Sequence, residues 1–434
     1  MDAPKIVVIG GGAVGSFITH DLAARGLSVT LVERANILGG TSAKFHGMLH
    51  SGARYAVNDV KEAREVVKDN RVISNIAPHC IEDTRGIFLG LDNDDLDYAS
   101  KFTVGCKQAG IDVKELDLKQ LRESEPFITK ETKVAFGVPD KVINSFRLVT
   151  SLMLTAKSEG AEILLGREAV GFETDKKHVA GVKIKDSSGV STLKSDLVIN
   201  ASGPWIGRLM GEHLGINSID MIMSAGTMVV MGRRFTKSIV NRLRSPSDGD
   251  IVVPYFTESI IGTTAFIIED PDNFEIDRDD VDFLVEEGSK MIPAIKKSEV
   301  KRYYAGVRAL ISPSSDDNEA RNVSRDFKIF DHETTDGISG IATIGGGKLS
   351  TSRLMAKNIG DFVCGKFGIK ERSKTDSIDL VWPKLEESNI EDISKKTGIS
   401  SQVLKEVIFE TSSKTYSDMY SPAMDIVYSR MLFD

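Results

Sequence analysis

The stretch KIVVIGGGAVGSFITHDLAARGLSVTLVER, residues 5–34, carries the strongest fold signal in this 434-residue chain. Residues 6–9 form a short apolar run, rich in β-branched side chains, that is typical of a buried parallel strand. A glycine-rich turn follows, and residues 13–25 then have the pattern of a helix that ends at Gly26. Residues 28–32 predict a second strand. The stretch therefore predicts a βαβ unit that opens an α/β domain.

The turn of this unit has the G-x-G-x-x-G spacing, in which each glycine has its own task. The first permits the tight turn, the second leaves room for a pyrophosphate, and the third lets the helix pack close to the strand. The amides at the helix start face the diphosphate, and Glu33 after the second strand can accept hydrogen bonds from an adenosine ribose. We therefore expect a dinucleotide at Gly10, Gly12, Ala13, Val14, Gly15 and Glu33.

The motif alone does not separate NAD from FAD, but three segments further along the chain favour FAD. Residues 37–57 are rich in glycine and small polar residues and predict a loop along an extended cofactor. Residues 195–205 and 338–357 each read as a strand that ends in a glycine-containing turn. Glycine turns spread over the whole chain fit a compact NAD domain poorly. The remaining cofactor candidates are Arg34, Gly40, Thr41, Ser42, His46, Gly47, Leu49, Val170, Ala201, Ser202, Gly203, Trp205, Gly262, Arg308, Gly346, Gly347, Lys348, Leu349 and Ser350.

Composition narrows the function classes. The net charge of −8 argues against a general nucleic-acid binder. The three cysteines lie far apart without a C-x-x-C pair, so we expect no zinc or iron–sulfur site and a reducing, cytoplasmic setting. No signal-peptide pattern opens the chain, and no apolar run approaches the roughly 18 residues of a membrane span. Any membrane contact is therefore expected to be peripheral or made through a partner.

The order of the patterns predicts two interleaved domains. We assign residues 1–75, 142–215 and 335–370 to a Rossmann-like cofactor domain of the two-dinucleotide-fold type. Residues 76–141 and 216–334, with long alternating stretches, predict a substrate-binding domain built on an antiparallel sheet. Residues 371–434 predict a short helical tail that docks on the fold or forms a dimer or partner surface.

Seven segments together resemble one family of flavoproteins. They are HGMLHSGARYAVND, VINSFRLV, SDGDIVVP, IGTT, YAGVRAL, RNVSRD and GGGKLSTSRLMA, and they cover most of residues 5–360 in that order. The chain resembles the FAD-dependent glycerol-3-phosphate dehydrogenases of the DAO type, and most of all the catalytic chains of the anaerobic enzymes. Three features depart from the family: Ala309 where proline is usual, Ser352 where tyrosine is usual, and no cysteine after Cys364, where the anaerobic catalytic chains carry a cysteine-rich module.

The resemblance implies a reaction and its partners. The expected reaction is oxidation of sn-glycerol 3-phosphate to dihydroxyacetone phosphate, with hydride transfer from C2 to flavin N5. Electrons would pass to a quinone or a partner protein, with oxygen as a further alternative, at the inner face of the cell membrane and in a homodimer. Two alternatives stay open: a flavoenzyme for another small hydroxy acid or an amino acid, such as 2-hydroxyglutarate, and a flavin-binding protein without turnover.

Such chemistry needs a base for the hydroxyl proton, positive charge near the reduced flavin and a cationic clamp for the phosphate. The resemblance places Arg54 and Tyr55 at the substrate, Arg308 near the reacting carbon, Arg325 at the phosphate and Lys348 in the active site.

The residues themselves add further candidates. Of the two loop histidines, His50 is preferred over His46 as the base. Thr264, next to Thr263, is a candidate for the pocket wall. Arg308 is expected just after a strand, with Gly306 leaving room for a ligand, and Lys348 is expected to open the last helix.

Overall fold

A computed structural model describes residues 3–35, 38–91, 94, 96–311, 327–382, 391, 394 and 401. Its first sheet is parallel except for one edge strand, which runs antiparallel to its neighbour. The strands, in spatial order, are β20 (Phe327–Asp331), β21 (Ile341–Gly346), β13 (Leu197–Asn200), β1 (Lys5–Ile9), β2 (Ser28–Glu33) and β9 (Glu162–Leu165).

Helices cover both domains. Those of the described residues are α1 (Ala13–Ala24), α2 (Val60–Ile76), α3 (Tyr98–Ala109), α4 (Leu118–Ser124), α5 (Ser145–Ser158), α6 (Ile206–Leu214), α7 (Arg278–Met291), α8 (His332–Thr335) and α9 (Ser352–Phe367). Helix α1 packs against α5 and α9 on one face of the first sheet, around the core that includes Phe17, Leu31 and Leu152. Helix α6 and a three-stranded antiparallel sheet contribute to the core on its other face. The strands of that small sheet are β10 (Glu168–Asp175), β11 (His178–Asp186) and β12 (Gly189–Lys194).

The second large sheet has nine strands and is mostly antiparallel, as the alternating stretches predicted. Eight of its strands follow the order β18 (Phe266–Ile267), β14 (Met221–Met231), β17 (Glu258–Gly262), β16 (Ile251–Tyr255), β15 (Ile239–Arg242), β5 (Gly86–Gly90), β7 (Val134–Val138) and β6 (Lys114–Glu115). The ninth strand, β19 (Val300–Ile311), pairs with β14 along nearly its whole length. Helix α7 packs on this sheet, and Asp277 caps its start by accepting from the amide of Asp279 at 2.9 Å.

A third, small sheet joins segments of the two domains. It consists of β3 (Met48–Leu49), β8 (Lys141–Ile143) and β4 (Ile81–Glu82). Strand β3 belongs to the loop that the sequence predicts along the cofactor, so this pairing ties the loop to the rest of the fold.

The structure differs from the sequence-based boundaries in a few places. Helix α1 ends at Ala24, one residue earlier than predicted, and β2 includes Glu33. Strand β20 pairs with β21 in the first sheet, although residues 216–334 were assigned to the substrate-binding domain. The start of the tail docks on the cofactor domain, where the amide of Leu380 donates to the carbonyl of Ile76 at 2.8 Å. The dimer or partner surface predicted near the chain end lies outside the described residues.

Within the described ranges, no helix has both the length and the apolar character that spanning a membrane requires.

Candidate active site

A cavity of ≈ 590 Å³ lies where the two large sheets meet. Its floor is formed at the carboxyl ends of β1, β2, β13 and β21, which is where open α/β sheets bind their ligands. Its opposite wall includes residues 308–310 of β19, from the second sheet. One side of the cavity therefore has the form of a nucleotide-binding site, and another side belongs to the predicted substrate-binding domain.

The glycine turn adopts the geometry that the motif predicts. Gly10 has φ +103°, a conformation that L side chains rarely adopt, and a Cβ on it would lie 2.6 Å from the carbonyl oxygen of Ala201. A Cβ on Gly15 would overlap the carbonyl oxygen of Gly10, so this glycine serves the packing of helix on strand. A Cβ on Gly12 would meet only Ser42 Oγ, at 3.3 Å. The bare backbone at Gly12 thus leaves room for a pyrophosphate.

Glu33 is held rigidly at the edge of this turn. Its Oε2 accepts a hydrogen bond from the Gly11 amide at 2.6 Å, and its Oε1 accepts one from the Ala35 amide at 2.8 Å. The carboxylate lines the cavity and keeps further lone pairs for ribose hydroxyls. This placement fits the predicted ribose contact.

We expect Glu33→Ala to weaken FAD binding by about tenfold or more, since a charged acceptor of hydrogen bonds is worth about 1.5–3 kcal/mol. The bound flavin per chain after extensive dialysis measures this. Glu33→Gln, which keeps one acceptor oxygen, is the matched control and should lose less flavin. Equal flavin content in wild type and Glu33→Ala would contradict the ribose assignment.

The loop after β2 is fastened to both domains. Ser42 Oγ accepts from the Ala13 amide at 3.0 Å, and Thr41 Oγ1 donates to the carbonyl of Val307 at 2.6 Å. The expectation that Gly306 leaves room for a ligand is wrong, because a Cβ there would overlap the carbonyl oxygen of Lys44. Gly306 instead lets the loop backbone press against β19.

Arg308 lies within β19, opposite Ser224, and not after the strand as predicted. Its Nη1 donates to Ser224 Oγ at 3.3 Å, and its Nη2 donates to Thr263 Oγ1 at 2.5 Å and to the carbonyl of Thr264 at 3.3 Å. These contacts hold a permanently charged guanidinium at the cavity wall. The orientation of Arg308 is thus fixed by contacts within the protein.

Lys348 enters the cavity from the opposite side, after β21. Helix α9 begins only at Ser352, because a 3₁₀ turn over Leu349–Thr351 intervenes, so Lys348 does not open the helix as predicted. Its ammonium forms an ion pair with Glu62 of α2 and lies 4.0 Å from the centre of the Tyr55 ring. Burial lowers the pKa of Lys348, while Tyr55 and Asp59 oppose that shift.

His50 and Tyr55 also line the cavity, and their ring centres are 5.9 Å apart. The backbone between them is held from behind: Asn70 Nδ2 donates to the carbonyl of His50 at 3.0 Å, and Asp140 Oδ1 accepts from the Ser51 amide at 2.7 Å. Burial raises the pKa of Asp140 to about 6, and the hydrogen bonds from Ser51 oppose that shift.

His46, the other candidate base, also lines the cavity. Its Nδ1 accepts a hydrogen bond from the Met48 amide at 3.2 Å, so this nitrogen carries no proton. Protonation of Nδ1 would break that bond. The second candidate therefore has one ring nitrogen already engaged as an acceptor.

Two predicted substrate residues, Arg54 and Thr264, are described by the structure and do not line the cavity. Arg54 Nη2 donates to Asp250 Oδ2 at 2.9 Å and to the carbonyl of Ser247 at 3.0 Å, behind Tyr55. Its buried Nη1 has no hydrogen-bond partner within the described part of the chain. Thr264 is buried, and its hydroxyl donates to Asp280 Oδ2 at 2.8 Å. Arg325 lies outside the described residues.

The structure brings most of the predicted cofactor residues to the cavity. Those that line it are Gly10, Gly12, Ala13, Val14, Glu33, Arg34, Gly40, Thr41, Ser42, His46, Val170, Ala201, Ser202, Gly203, Trp205, Arg308, Gly346, Gly347, Lys348, Leu349 and Ser350. Four predicted cofactor residues do not line it: Gly15, Gly47, Leu49 and Gly262.

The cavity fits FAD on observations beyond the glycine turn. Ser350 Oγ is buried at the wall and has no hydrogen-bond partner among the described residues, which suits a polar ligand. Lys348 adds a positive charge to the cavity lining, which suits the negatively charged reduced form of a flavin. Sequence reasoning missed Glu62, Arg208 and Asp272. Only the spacing of Asp59 and Glu62 gave a signal, and it indicated a helix start, which Asp59 does cap.

Comparison with known proteins agrees with this geometry. The family described as FAD dependent oxidoreductase matches residues 5–361. The A chain of the anaerobic glycerol-3-phosphate dehydrogenase of Escherichia coli K12 is 38% identical over 414 residues, which are 94% of this chain and 76% of that protein. The corresponding A1 chain of Haloferax volcanii is 37% identical over 86% of this chain and 65% of that protein.

Solved structures share the fold. The glycerol-3-phosphate dehydrogenase of Bacillus halodurans, solved in complex with FAD, superposes with a TM-score of 0.68 at 23% identity, over 93% of this chain and 75% of that one. The glycine oxidase of Bacillus cereus gives a TM-score of 0.66 at 20% identity, over 88% of this chain and 100% of that one.

Fold and site thus define a flavin-dependent oxidoreductase, and the predicted α/β fold class is confirmed. The chain belongs to the FAD-dependent oxidoreductase family and, within it, to the group of the anaerobic glycerol-3-phosphate dehydrogenases, as the resemblance predicted.

Proposed function

We propose that this chain oxidises sn-glycerol 3-phosphate to dihydroxyacetone phosphate with FAD as its cofactor. The relatives that match over 94% of the chain are named for that substrate. The carrying observation is that Arg308 from one domain and Lys348 from the other line the same cavity as the glycine turn. A phosphorylated alcohol can thus be held by cations while its reacting carbon faces the cofactor.

Residues of the glycine turn and of the segment before Lys348 would hold FAD, which would supply the acceptor for the hydride on C2 of the substrate. Arg308 orients the substrate, because a guanidinium braced by Ser224 and Thr263 can donate to an oxygen on the reacting carbon without moving. As the alcohol becomes a carbonyl, this donor also stabilises the charge that develops on the oxygen.

Lys348 would offset the negative charge of the reduced cofactor, since its ammonium lines the same cavity. Glu62 and the Tyr55 ring hold its ammonium in place. Since the side chain is mostly buried, its charge acts in a medium of lower effective dielectric constant than water.

His50 is proposed as the base that takes the hydroxyl proton. A neutral imidazole has a ring nitrogen that can accept a proton. Asn70 fixes the backbone carbonyl of His50, so the ring is presented from a rigid segment.

We further propose that Arg325 and Arg54 contribute to the phosphate clamp, as the resemblance implies. Among the residues that the structure describes, the buried Nη1 of Arg54 has no hydrogen-bond partner, which supports this assignment. Electrons are proposed to leave to a quinone or to a partner protein that accepts them, from a homodimer at the inner face of the cell membrane. The relatives are named as one subunit of a larger enzyme, which supports a partner. Fast peroxide formation in air would favour oxygen as acceptor instead.

The first experiment is an anaerobic visible spectrum of the purified protein before and after addition of sn-glycerol 3-phosphate. We expect the flavin band to bleach promptly. 2-Hydroxyglutarate and a panel of amino acids, added separately, are the control substrates and should leave the band unchanged. Bleaching by one of these controls instead would keep the fold and overturn the proposed substrate. A subsequent quinone analogue should restore the band if a quinone is the acceptor.

A further inference from the structure

Five side chains meet across the two domains at one end of the cavity. Arg34 follows Glu33, Trp205 lies in the turn after β13, and Arg208 belongs to α6. All three line the cavity and belong to the cofactor domain. Asp270 and Asp272 come from the segment after β18, in the second sheet.

Asp272 is the centre of this cluster. Its Oδ2 accepts from Trp205 Nε1 and from Arg208 Nη1, each at 2.8 Å. Its Oδ1 accepts from Arg34 Nη2 at 3.3 Å. The Arg34 guanidinium lies 4.1 Å above the centre of the Trp205 ring, as in a cation–π pair. The carboxylate of Asp272, from the second domain, thus binds both members of the Arg34–Trp205 pair of the cofactor domain.

Asp270 reinforces the same contact. It accepts from Arg208 Nη2 at 2.6 Å, and its Oδ1 also accepts from the Asp272 amide at 2.9 Å. The two guanidinium nitrogens of Arg208 therefore each bind a different aspartate. This double contact fixes the segment that carries Asp270 and Asp272.

The position of the cluster relates it to one half of the cofactor. Arg34 is adjacent to Glu33, and Glu33 contacts the glycine turn through Gly11. In dinucleotide-binding folds an acid at this place contacts the adenosine ribose. The cluster is therefore at the adenosine end, whereas Arg308 and Lys348 serve the reacting end.

We propose that Asp272 is a positioning residue that clamps the Arg34–Trp205 stack over the adenosine end of the cavity and slows the release of FAD. The clamp joins the two domains without involving the substrate residues. Its effect is on cofactor retention, so this assignment stands apart from the proposed substrate.

The electrostatics of the cluster define how it should respond to salt. Partial burial favours a higher pKa for Asp272, but hydrogen bonds from Trp205 and Arg208 and the charge of Arg34 bring the pKa below its usual value. The carboxylate is therefore ionised at neutral pH. The side chains of Arg34 and Asp272 are 42% and 39% exposed, so their attraction is screened by added salt. A single exposed ion pair contributes little to stability. The expected slowing of FAD release must therefore come from Trp205, Arg208 and Arg34 together, since all three donate to Asp272.

The test is the rate of FAD release from the purified holoprotein, followed by the recovery of flavin fluorescence after dilution, at low and at about 1 M NaCl, where the Debye length falls to about 3 Å. We expect wild-type release to accelerate with salt. Asp272→Ala should release FAD severalfold faster at low salt and should lose most of the salt dependence. Asp272→Asn keeps an acceptor for Trp205 and should fall between the two.

Asp282→Ala is the matched control, because it removes an exposed ion pair of the same domain, Arg278–Asp282, on α7. Its release rate and salt dependence should equal those of wild type. Equal release rates in wild type and Asp272→Ala would overturn the proposal. So would a rate increase in Asp272→Ala that keeps the full salt dependence, because that pattern indicates a general loosening of the fold.

Discussion

Arg308→Met is expected to lower kcat/KM for sn-glycerol 3-phosphate by about 10²–10³-fold while FAD remains bound, the loss typical of removing one preorganised donor to developing charge. The guanidinium is held by Ser224, Thr263 and the Thr264 carbonyl, so its position is set before the substrate binds. Methionine keeps much of the length of the side chain but offers no donor. Rapid-mixing reduction of the flavin under anaerobic conditions measures the effect directly.

The control for this substitution lies on the same strand. Arg302 of β19 is exposed and pairs with Glu258, away from the cavity. Arg302→Met should change the reduction rate less than about twofold, as exposed ion pairs contribute about 0–1 kcal/mol to stability. If Arg308→Met reduces its flavin as fast as Arg302→Met does, Arg308 does not contact the reacting group. Arg308→Lys should recover only part of the rate, because an ammonium lacks the planar fork of donors.

Lys348→Met is expected to slow flavin reduction by about 10²-fold and to change the pH dependence of the reaction. Only the protonated, positively charged form of Lys348 can stabilise negative charge in the cavity, so the rate of flavin reduction falls as the pH rises through the pKa of Lys348. Burial places that pKa below the ordinary value of 10.5, and the alkaline limb of the wild-type profile should therefore lie below pH 10.5. The limb should be missing in Lys348→Met.

Two variants test this assignment further. Lys348→Arg keeps a cation that stays protonated over the whole accessible pH range, so it should retain part of the rate and remove the alkaline limb from the profile. Lys357→Met removes an exposed lysine of α9, which pairs with Asp361, and should leave both rate and profile unchanged. An alkaline limb that persists in Lys348→Met would show that another group titrates there.

The motif regions were predictable because their constraints are local. The turn at Gly10, Gly12 and Gly15 depends on backbone sterics within a few residues, and the strand and helix beside it follow from the pattern of apolar residues. The same locality placed Ala201 to Gly203 and the glycines before Lys348 at the cavity floor, since each ends a parallel strand of one sheet. The family resemblance rested on the seven segments quoted above, from HGMLHSGARYAVND to GGGKLSTSRLMA, and is confirmed by the comparisons.

Two predictions that depended on contacts between distant segments of the chain differ from the structure. The sequence predicts that Gly306 leaves room for a ligand. In the structure the backbone of Lys44, 262 positions earlier in the chain, occupies that space. Thr264 reads as a pocket residue, yet its hydroxyl binds Asp280 on a helix behind the sheet. In both cases the sequence predicts a place for a ligand, and tertiary packing fills that place with another part of the chain.

What the local sequence specifies is the nucleotide half of this protein: the strand, the glycine turn, the helix and the acid that follows them. Steric limits and hydrogen-bonding needs of a few consecutive residues leave little choice there. The reacting half exists only once the chain has folded. Pairing of β14 with β19 aims Arg308 at the cavity, α2 brings Glu62 to Lys348, and the segment after β18 brings Asp272 to Trp205. Each of these contacts joins residues more than 60 positions apart, so tertiary packing, and not the local sequence, determines which charges meet.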